Sequence, residues 1–352
     1  MQWLYGHEFD IVKTDRNLEM VAELKERFDS DGRPSLYSSL PLDTPMSLFV
    51  EPTNLCNFRC TFCPTGEPSL LRKTKLRQHI PVSIYESAIQ GAGKFSGRIK
   101  KLHLNKDGEP FLNPGIIDLI RIAHRSRNFD SIETISNGSL LSDYKVDEIV
   151  SSGLNVLKIS IYGTTSQEYA ANVRRNVDID RIIKSIRSLY LASRGSALKI
   201  YVKMMRSENE SSNERFINCF QEISDRVFIE EKVEQWPSFS SLVVKPLVNV
   251  YQRPLGAAKS VCTLPFYSMV VNATGTVSAC CVDWKNELIL GDLSRQTLDE
   301  IWDSEGFNSF RVQMLQGRRR ISACATCDHP DTAQPDSLDG HVHKLLHFYQ
   351  KY

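Results

Sequence analysis

Short apolar and β-branched runs recur along the first two thirds of the chain, at residues 46–52, 99–105, 131–136, 156–162, 198–204 and 227–233, and each has the length of a strand. Between them, residues 82–91, 115–125, 142–151, 179–192 and 213–223 carry apolar side chains at helical spacing. Strands alternating with helices predict parallel βαβ units with right-handed crossovers. Six such units give an α/β fold in the form of an open barrel, with functional residues at the C-terminal ends of its strands. Residues 1–45 are polar, with one short helix expected over 18–28 and prolines at Pro41 and Pro45 closing the segment. The periodicity fades near residue 235, and Trp236-Pro-Ser-Phe-Ser-Ser opens a linker over 236–260. Beyond it, runs at 266–272 and 276–281 flank Ala273-Thr274-Gly275, a hairpin with glycine where a positive φ is needed. Short helices follow over 297–302 and 307–315. The expected organisation is thus an N-terminal extension (1–45), a barrel (46–235), the linker, a small domain (261–330) and a tail (331–352), with no internal repeat.

Composition narrows the function classes. At 352 residues the chain can bury a large core and a smaller second one. Its 43 Lys+Arg against 42 Asp+Glu leave no electrostatic footprint for nucleic acid, and Arg318-Arg319-Arg320 reads as a solvated loop. No apolar run reaches about 18 residues, and Met1-Gln-Trp-Leu-Tyr-Gly-His lacks a signal pattern, so the expectation is a soluble cytoplasmic protein without membrane or nucleic-acid partners. The nine cysteines fall mainly in two groups, which suits metal-bound thiolates in a reducing compartment better than disulfides.

The first group is Cys56-Asn-Phe-Arg-Cys60-Thr-Phe-Cys63, directly after the first strand. Such a loop can wrap three thiolates round one face of a cubane iron–sulfur cluster, leaving one iron open to a small molecule. Zinc would need a fourth ligand nearby, and the next histidine, His79, lies beyond a Pro/Gly-containing and then a Lys/Arg-rich stretch. A dithiol switch would leave Cys56 unexplained. The spacing resembles the signature of the radical S-adenosylmethionine (radical SAM) superfamily. In that family the open iron binds the amino and carboxylate groups of SAM, and electron transfer yields a 5′-deoxyadenosyl radical that removes a substrate hydrogen atom. The resemblance implies a partial (β/α)6 TIM-like barrel, and it suggests roles for particular residues. Phe62 stands where an aromatic neighbours the adenine, although it equally suits a loop anchor. Asn105-Lys-Asp-Gly108-Glu109-Pro110 resembles the family's GGEP motif, with Asp107 in place of the first glycine and Glu109 matching the residue that holds the SAM amino group. Ser136-Asn137-Gly138 resembles the polar strand end near SAM, and Ser160 offers a hydroxyl to the ribose or the methionine part; caps or turns are the alternative for both serines. Arg174, in Asn172-Val-Arg-Arg-Asn, matches an arginine set against the SAM carboxylate, with Arg175 as competitor.

Cys262, Cys280, Cys281, Cys324 and Cys327 crowd into 66 residues. Four of them, Cys262, Cys280, Cys324 and Cys327, can close a [4Fe–4S] cluster or a structural zinc site. The pattern C-x12-Gly275-x4-C, then Leu290-Gly-Asp-Leu, Leu298-Asp-Glu-Ile-Trp302 and a closing C-x2-C, looks like the SPASM extension of radical SAM enzymes. The resemblance then covers about residues 46–330 and, without the further C-x5-C-x3-C, implies one auxiliary cluster. Cys281 points to the opposite strand face from Cys280 and reads as a spare core thiol, a swapped ligand or a hydrogen donor. Cys219, with Phe216 and Phe220, reads as core. The tail, with His329, His341, His343 and His347, reads as a solvated helix, with a metal-binding stretch or a lid as alternatives.

The resemblance implies SAM and two [4Fe–4S] clusters as cofactors and an external flavodoxin- or ferredoxin-like electron donor. A fully ligated second cluster favours two-electron oxidation of a small polar, sugar- or aminocyclitol-like molecule. Redox-neutral epimerisation through Cys281 and peptide modification compete; for the latter, the roughly 45 polar residues before the barrel look too short for a winged-helix recognition module. A non-enzymatic electron-transfer protein is the remaining alternative, against which the absent fourth cysteine argues. Tyr162, Lys106 and His103 lie near strand ends, and none is singled out as general base.

Overall fold

The computed structural model describes residues 23–24, 34–67, 69–70, 76–234, 236–239, 247–250 and 252–350. Its strands are β1 (Glu23–Leu24), β2 (Ser47–Val50), β3 (Ile99–His103), β4 (Phe129–Ser136), β5 (Val156–Ile161), β6 (Lys199–Met205), β7 (Arg226–Glu230), β8 (Ser268–Val271), β9 (Thr276–Ser278) and β10 (Ile289–Asp292). They form one sheet in the order β1-β7-β6-β5-β4-β3-β2-β8-β9-β10. From β2 to β7 neighbours are sequential and parallel, so the six expected units are present, with strand ends within three residues of those expected.

Alternation along these strands separates two faces. Leu48, Leu102, Ile132, Leu157, Ile200 and Val227 are buried in the core beneath the helices, and each such side chain contributes about 1.5–3 kcal/mol. The facing pairs on the other side are polar or aromatic. Phe49 stacks on His103 with ring centroids 4.4 Å apart, and Glu133 bridges Lys101 at 2.9 Å and Lys158 at 2.8 Å. Tyr201 meets Phe228 edge-on at 5.9 Å, and Lys203 pairs with Glu230 at 3.1 Å. Burial alone would raise the Glu133 carboxyl, but Lys158, His103 and Lys101 outweigh it and hold it at about 2. The concave face is therefore chemically that of a site.

Helices α1 (Val82–Ala92), α2 (Ile116–Ser126), α3 (Val146–Val150), α5 (Ile179–Ser193) and α6 (Glu210–Phe220) correspond to those expected. The third is cut short by a 3-10 turn over Leu141–Asp143, and the last starts earlier because Asn209 caps it, its side chain accepting from the Ser211 amide. Helix α4 (Ser166–Val173) was not foreseen; a capping box of Thr165 and Glu168 starts its largely polar sequence.

The C-terminal part joins the same sheet. Strand β8 pairs in parallel with β2, and Gly275 at φ +92° turns β8 into antiparallel β9, followed by β10. Helices α7 (Leu298–Trp302) and α8 (Glu305–Leu315) follow as expected, then α9 (His329–Ala333) and α10 (Val342–Tyr349). Three expectations are corrected. Glu23–Leu24 is a strand parallel to β7, not part of a helix over 18–28, whose other residues lie outside the described residues. Within the expected linker, the Pro237 carbonyl accepts from Trp284 Nε1 at 2.8 Å. Arg318 is buried, unlike Arg319 and Arg320, because its guanidinium has four acceptors. The tail helix is solvated on one face only: His343, Lys344 and His347 are exposed, but Leu345 and Tyr349 are buried, and Tyr349 packs edge-on against Phe266. Among the described residues no helix is long and apolar enough to cross a membrane.

Candidate functional site

The loop after β2 is shaped by its backbone. Arg59 N donates to Val173 O and Thr61 N to Asn172 O, each at 3.0 Å, which ties the loop to the end of α4. Phe58 is buried beneath it, edge-on to Tyr162 and Tyr169. Gly66 lies so close that a Cβ there would stand 2.2 Å from Cys60 O, so only glycine fits. The loop turns Cys56, Cys60 and Cys63 into a cavity of about 320 Å³ at the C-terminal ends of the strands. Burial first, and then neighbouring negative charge from Glu109 and Cys63, pushes the Cys56 thiol up to about 12, and Cys60 is pushed up as well. Three thiolates gathered in one buried loop repel one another and are stabilised by a bound metal. The donor set therefore suits a cluster with three protein ligands.

The turn after β3 forms the adjoining wall. A Cβ on Gly108 would meet Thr53 O at 2.2 Å and Leu55 O at 2.5 Å, and Glu109 N donates to Leu55 O at 2.8 Å, so glycine lets the turn lie against the cysteine loop. The buried Glu109 carboxylate accepts from Phe111 N at 3.1 Å, Ser136 Oγ at 2.8 Å and Asn137 N at 2.7 Å. Burial nevertheless lifts it to about 7, its three hydrogen bonds only partly compensating. A carboxylate so held lacks a cation, and an ammonium group would satisfy it. Asn137 Nδ2 donates to Asn57 Oδ1 at 2.9 Å, coupling this wall to the cysteine loop. Phe62 and Ser160 also line the cavity, Phe62 with its ring 5.6 Å from Tyr162.

Arg174 does not join these residues. It caps α4 in the left-handed region, and its guanidinium pairs with Glu67 at 2.5 Å outside the cavity; Arg175 donates to the Asn57 carbonyl instead. Of the residues considered as bases, His103 is stacked on Phe49 and absent from the lining, burial holding its ring at about 3. Lys106 Nζ is enclosed by Asn272 and Asn286, and burial drives the Tyr162 hydroxyl well upward. Sequence reasoning missed the wall at the ends of β6 and β7: Lys203 with Glu230, and Glu231, whose carboxylate takes Arg206 Nε at 2.6 Å. The inward alternation of lysine and glutamate on those strands was the available signal.

A second cavity is lined by Cys262, Cys280, Cys324 and Cys327 together. Among the described residues no three His, Cys, Asp or Glu side chains close on a single ion. Four such thiols round one cavity suit either a cubane cluster or tetrahedral zinc. Cys281 lines neither cavity, and Cys219 is a partly buried neighbour of the core. His329 borders the second cavity, while His341 stacks on Tyr37 at 3.6 Å.

The sequence matches the family described as Radical SAM superfamily over residues 50–219 and the SPASM iron-sulfur cluster-binding domain over residues 262–328. GTP 3′,8-cyclase of Chlorobaculum tepidum is 27% identical over 170 residues, 48% of this chain and 48% of that protein. The S-adenosyl-L-methionine-dependent 2-deoxy-scyllo-inosamine dehydrogenase of Niallia circulans is 27% identical over 79 residues, 22% of this chain and 32% of that protein. The chain thus spans about half or less of the length of these curated relatives. The structure of Streptococcus suis SuiB bound to precursor peptide SuiA superposes with a TM-score of 0.60 at 14% identity, covering 88% of this chain and 75% of that one, a likeness of fold.

Proposed function

Since this chain is a radical SAM enzyme with a C-terminal SPASM domain, and SAM and two [4Fe–4S] clusters are its cofactors, we propose that it oxidises a small polar, sugar- or aminocyclitol-like substrate by two electrons. Cys56, Cys60 and Cys63 would hold the SAM-binding cluster and Cys262, Cys280, Cys324 and Cys327 the auxiliary one; together these groups would supply hydrogen-atom abstraction from a substrate carbon and an acceptor for the electron left once a proton departs and a C=O or C=N bond forms.

The wall of Lys203, Glu230 and Glu231, the last held from behind by Arg206, carries this reading. Hydroxyl and amino groups can bond to it, whereas an apolar substrate would desolvate it without return. Glu109 holds the SAM ammonium, Ser136 and Asn137 keep that carboxylate oriented, and Ser160 offers a hydroxyl to SAM. Glu230 and Glu231 stand four strands along the sheet from the Glu109 turn and are the carboxylates placed to take a substrate proton.

Anaerobically reconstituted protein given SAM, dithionite and a panel of amino-polyols should form 5′-deoxyadenosine and a product lighter by two hydrogens. Turnover confined to peptides or nucleotides, or a product of unchanged mass, would overturn the proposal. Glu109→Gln should weaken SAM binding about 10- to 150-fold, for loss of about 1.5–3 kcal/mol of charged hydrogen bonding. The free carboxyl titrates near 7, so wild-type affinity should be full above that pH and fall below it as the carboxylate takes up its proton. Calorimetry across pH 6–8 should show that slope in the wild type and none in the variant, and parallel slopes would sink the assignment of Glu109.

A further inference from the structure

Around the second cavity stand donors that ligation by four cysteines does not require. Gln334, beyond the matched domain and 4% exposed, accepts at Oε1 from Thr263 N at 2.9 Å and from Thr263 Oγ1 at 2.7 Å. A backbone N–H can only donate, so that end of the amide is the carbonyl. The NH2 group therefore faces the sulfur of Cys262, 3.0 Å away. Arg318, 2% exposed, enters from another side. Its Nη1 donates to Cys327 O at 2.5 Å and Cys324 O at 3.4 Å, its Nε to Lys259 O at 2.8 Å, and its Nη2 to Asp331 at 2.8 Å. Lys259 Nζ donates to Pro330 O at 2.9 Å and to the Gln334 backbone carbonyl, which fastens the tail over the site.

We propose that Gln334, supported by Arg318, is a positioning residue that sets the reduction potential of the auxiliary cluster, so that this cluster can accept the electron released in substrate oxidation. The proposal rests on the SPASM assignment and on the oxidation reading given above. Reduction adds one electron to a site already carrying four thiolates, and that charge spreads onto sulfur. An N–H aimed at a ligand sulfur and a buried guanidinium both stabilise the reduced form more than the oxidised one, raising the potential. In the balanced step the substrate radical loses one electron and one proton, and the cluster gains the electron.

Protein with Cys56, Cys60 and Cys63 changed to alanine retains only the auxiliary cluster and isolates its signal. In that background Gln334→Leu should lower the EPR-monitored midpoint so that the ratio of reduced to oxidised cluster at a fixed potential drops about tenfold, roughly 59 mV for one electron. An unchanged midpoint with a full complement of iron overturns the proposal. Should Gln334→Leu lose iron, pulsed EPR of the reduced Gln334 protein labelled with side-chain 15N-glutamine decides: a coupled amide nitrogen and proton support the bond to sulfur, and their absence removes it. A shifted midpoint in an enzyme that oxidises no amino-polyol would leave this inference standing and remove the proposed reaction.

Discussion

Alanine at Cys56, Cys60 and Cys63 together should abolish 5′-deoxyadenosine formation and reduce iron from about eight to about four atoms per chain. The loss is expected to be complete, because carboxylates lining the cavity are engaged elsewhere: Glu109 by Ser136, Asn137 and Phe111, Glu230 by Lys203 and Glu231 by Arg206. The fold should survive, since the loop is held by Arg59 N on Val173 O, Thr61 N on Asn172 O and the buried Phe58 ring, none of which involves sulfur. Iron analysis and EPR of the remaining cluster provide the check. Retained 5′-deoxyadenosine, or iron unchanged from the wild type, would break the assignment of this loop. Loss of all iron would mean that the two sites do not assemble independently.

The barrel was legible because its strands are local signals. Residues 99–105 and 156–162 alternate between apolar side chains for the helical layer and charged or aromatic ones for the concave face. The cysteine loop and the Glu109 turn were legible for a related reason, since both are short motifs whose geometry a few adjacent residues decide. Arg174 shows the limit of that logic. Motif position placed it on SAM, but the left-handed backbone that ends α4 aims its side chain toward Glu67. Helix α4 escaped notice because its stability lies in a capping box and in the buried Tyr169 and Val173 rather than in an apolar stripe.

Long-range pairing was the part that sequence could not carry. Nothing local to Ser268–Val271 says that it will run parallel to Ser47–Val50 and extend the barrel sheet into the second domain. That pairing joins the strand before the first cysteine group and the hairpin between Cys262 and Cys280 in one continuous sheet. Gln334 was invisible for the same reason: its partner sulfur lies 72 residues away, and a single glutamine in a polar tail has no periodicity to betray it. Arg318, read as part of a basic run, is instead enclosed by carbonyls that only the folded C-x2-C turn brings together.

Lys106→Met should cost about 3–5 kcal/mol, the range for removing one partner of a buried charge pair, and lower the melting midpoint by roughly 5 °C. The side chain is fully buried, and its Nζ donates at 2.7 Å to both Asn272 and Asn286, with Asp107 at 3.6 Å. Both asparagines belong to the C-terminal domain, so one ammonium group ties the turn after β3 to the hairpin region beyond β8. Burial by itself would lower its pKa, but Asp107, Glu51, Asp283 and Cys280 outweigh that effect and push it up. A lysine whose folded pKa lies above the ordinary 10.5 contributes its full stabilisation below that pH and loses it only as pH rises beyond it. The deficit of the variant should therefore be constant from pH 6 to 9. Methionine fills the same length but leaves the Asp107 carboxylate and two amide oxygens facing an apolar chain, whereas Lys106→Arg keeps the charge in a wider group and should recover part of the loss. Asp107 adjoins Gly108 and Glu109, so a loosened turn should also weaken SAM binding, linking the two domains through one residue. A Lys106→Met protein that melts with the wild type, or that binds SAM equally well, would show that this ammonium is not the tie.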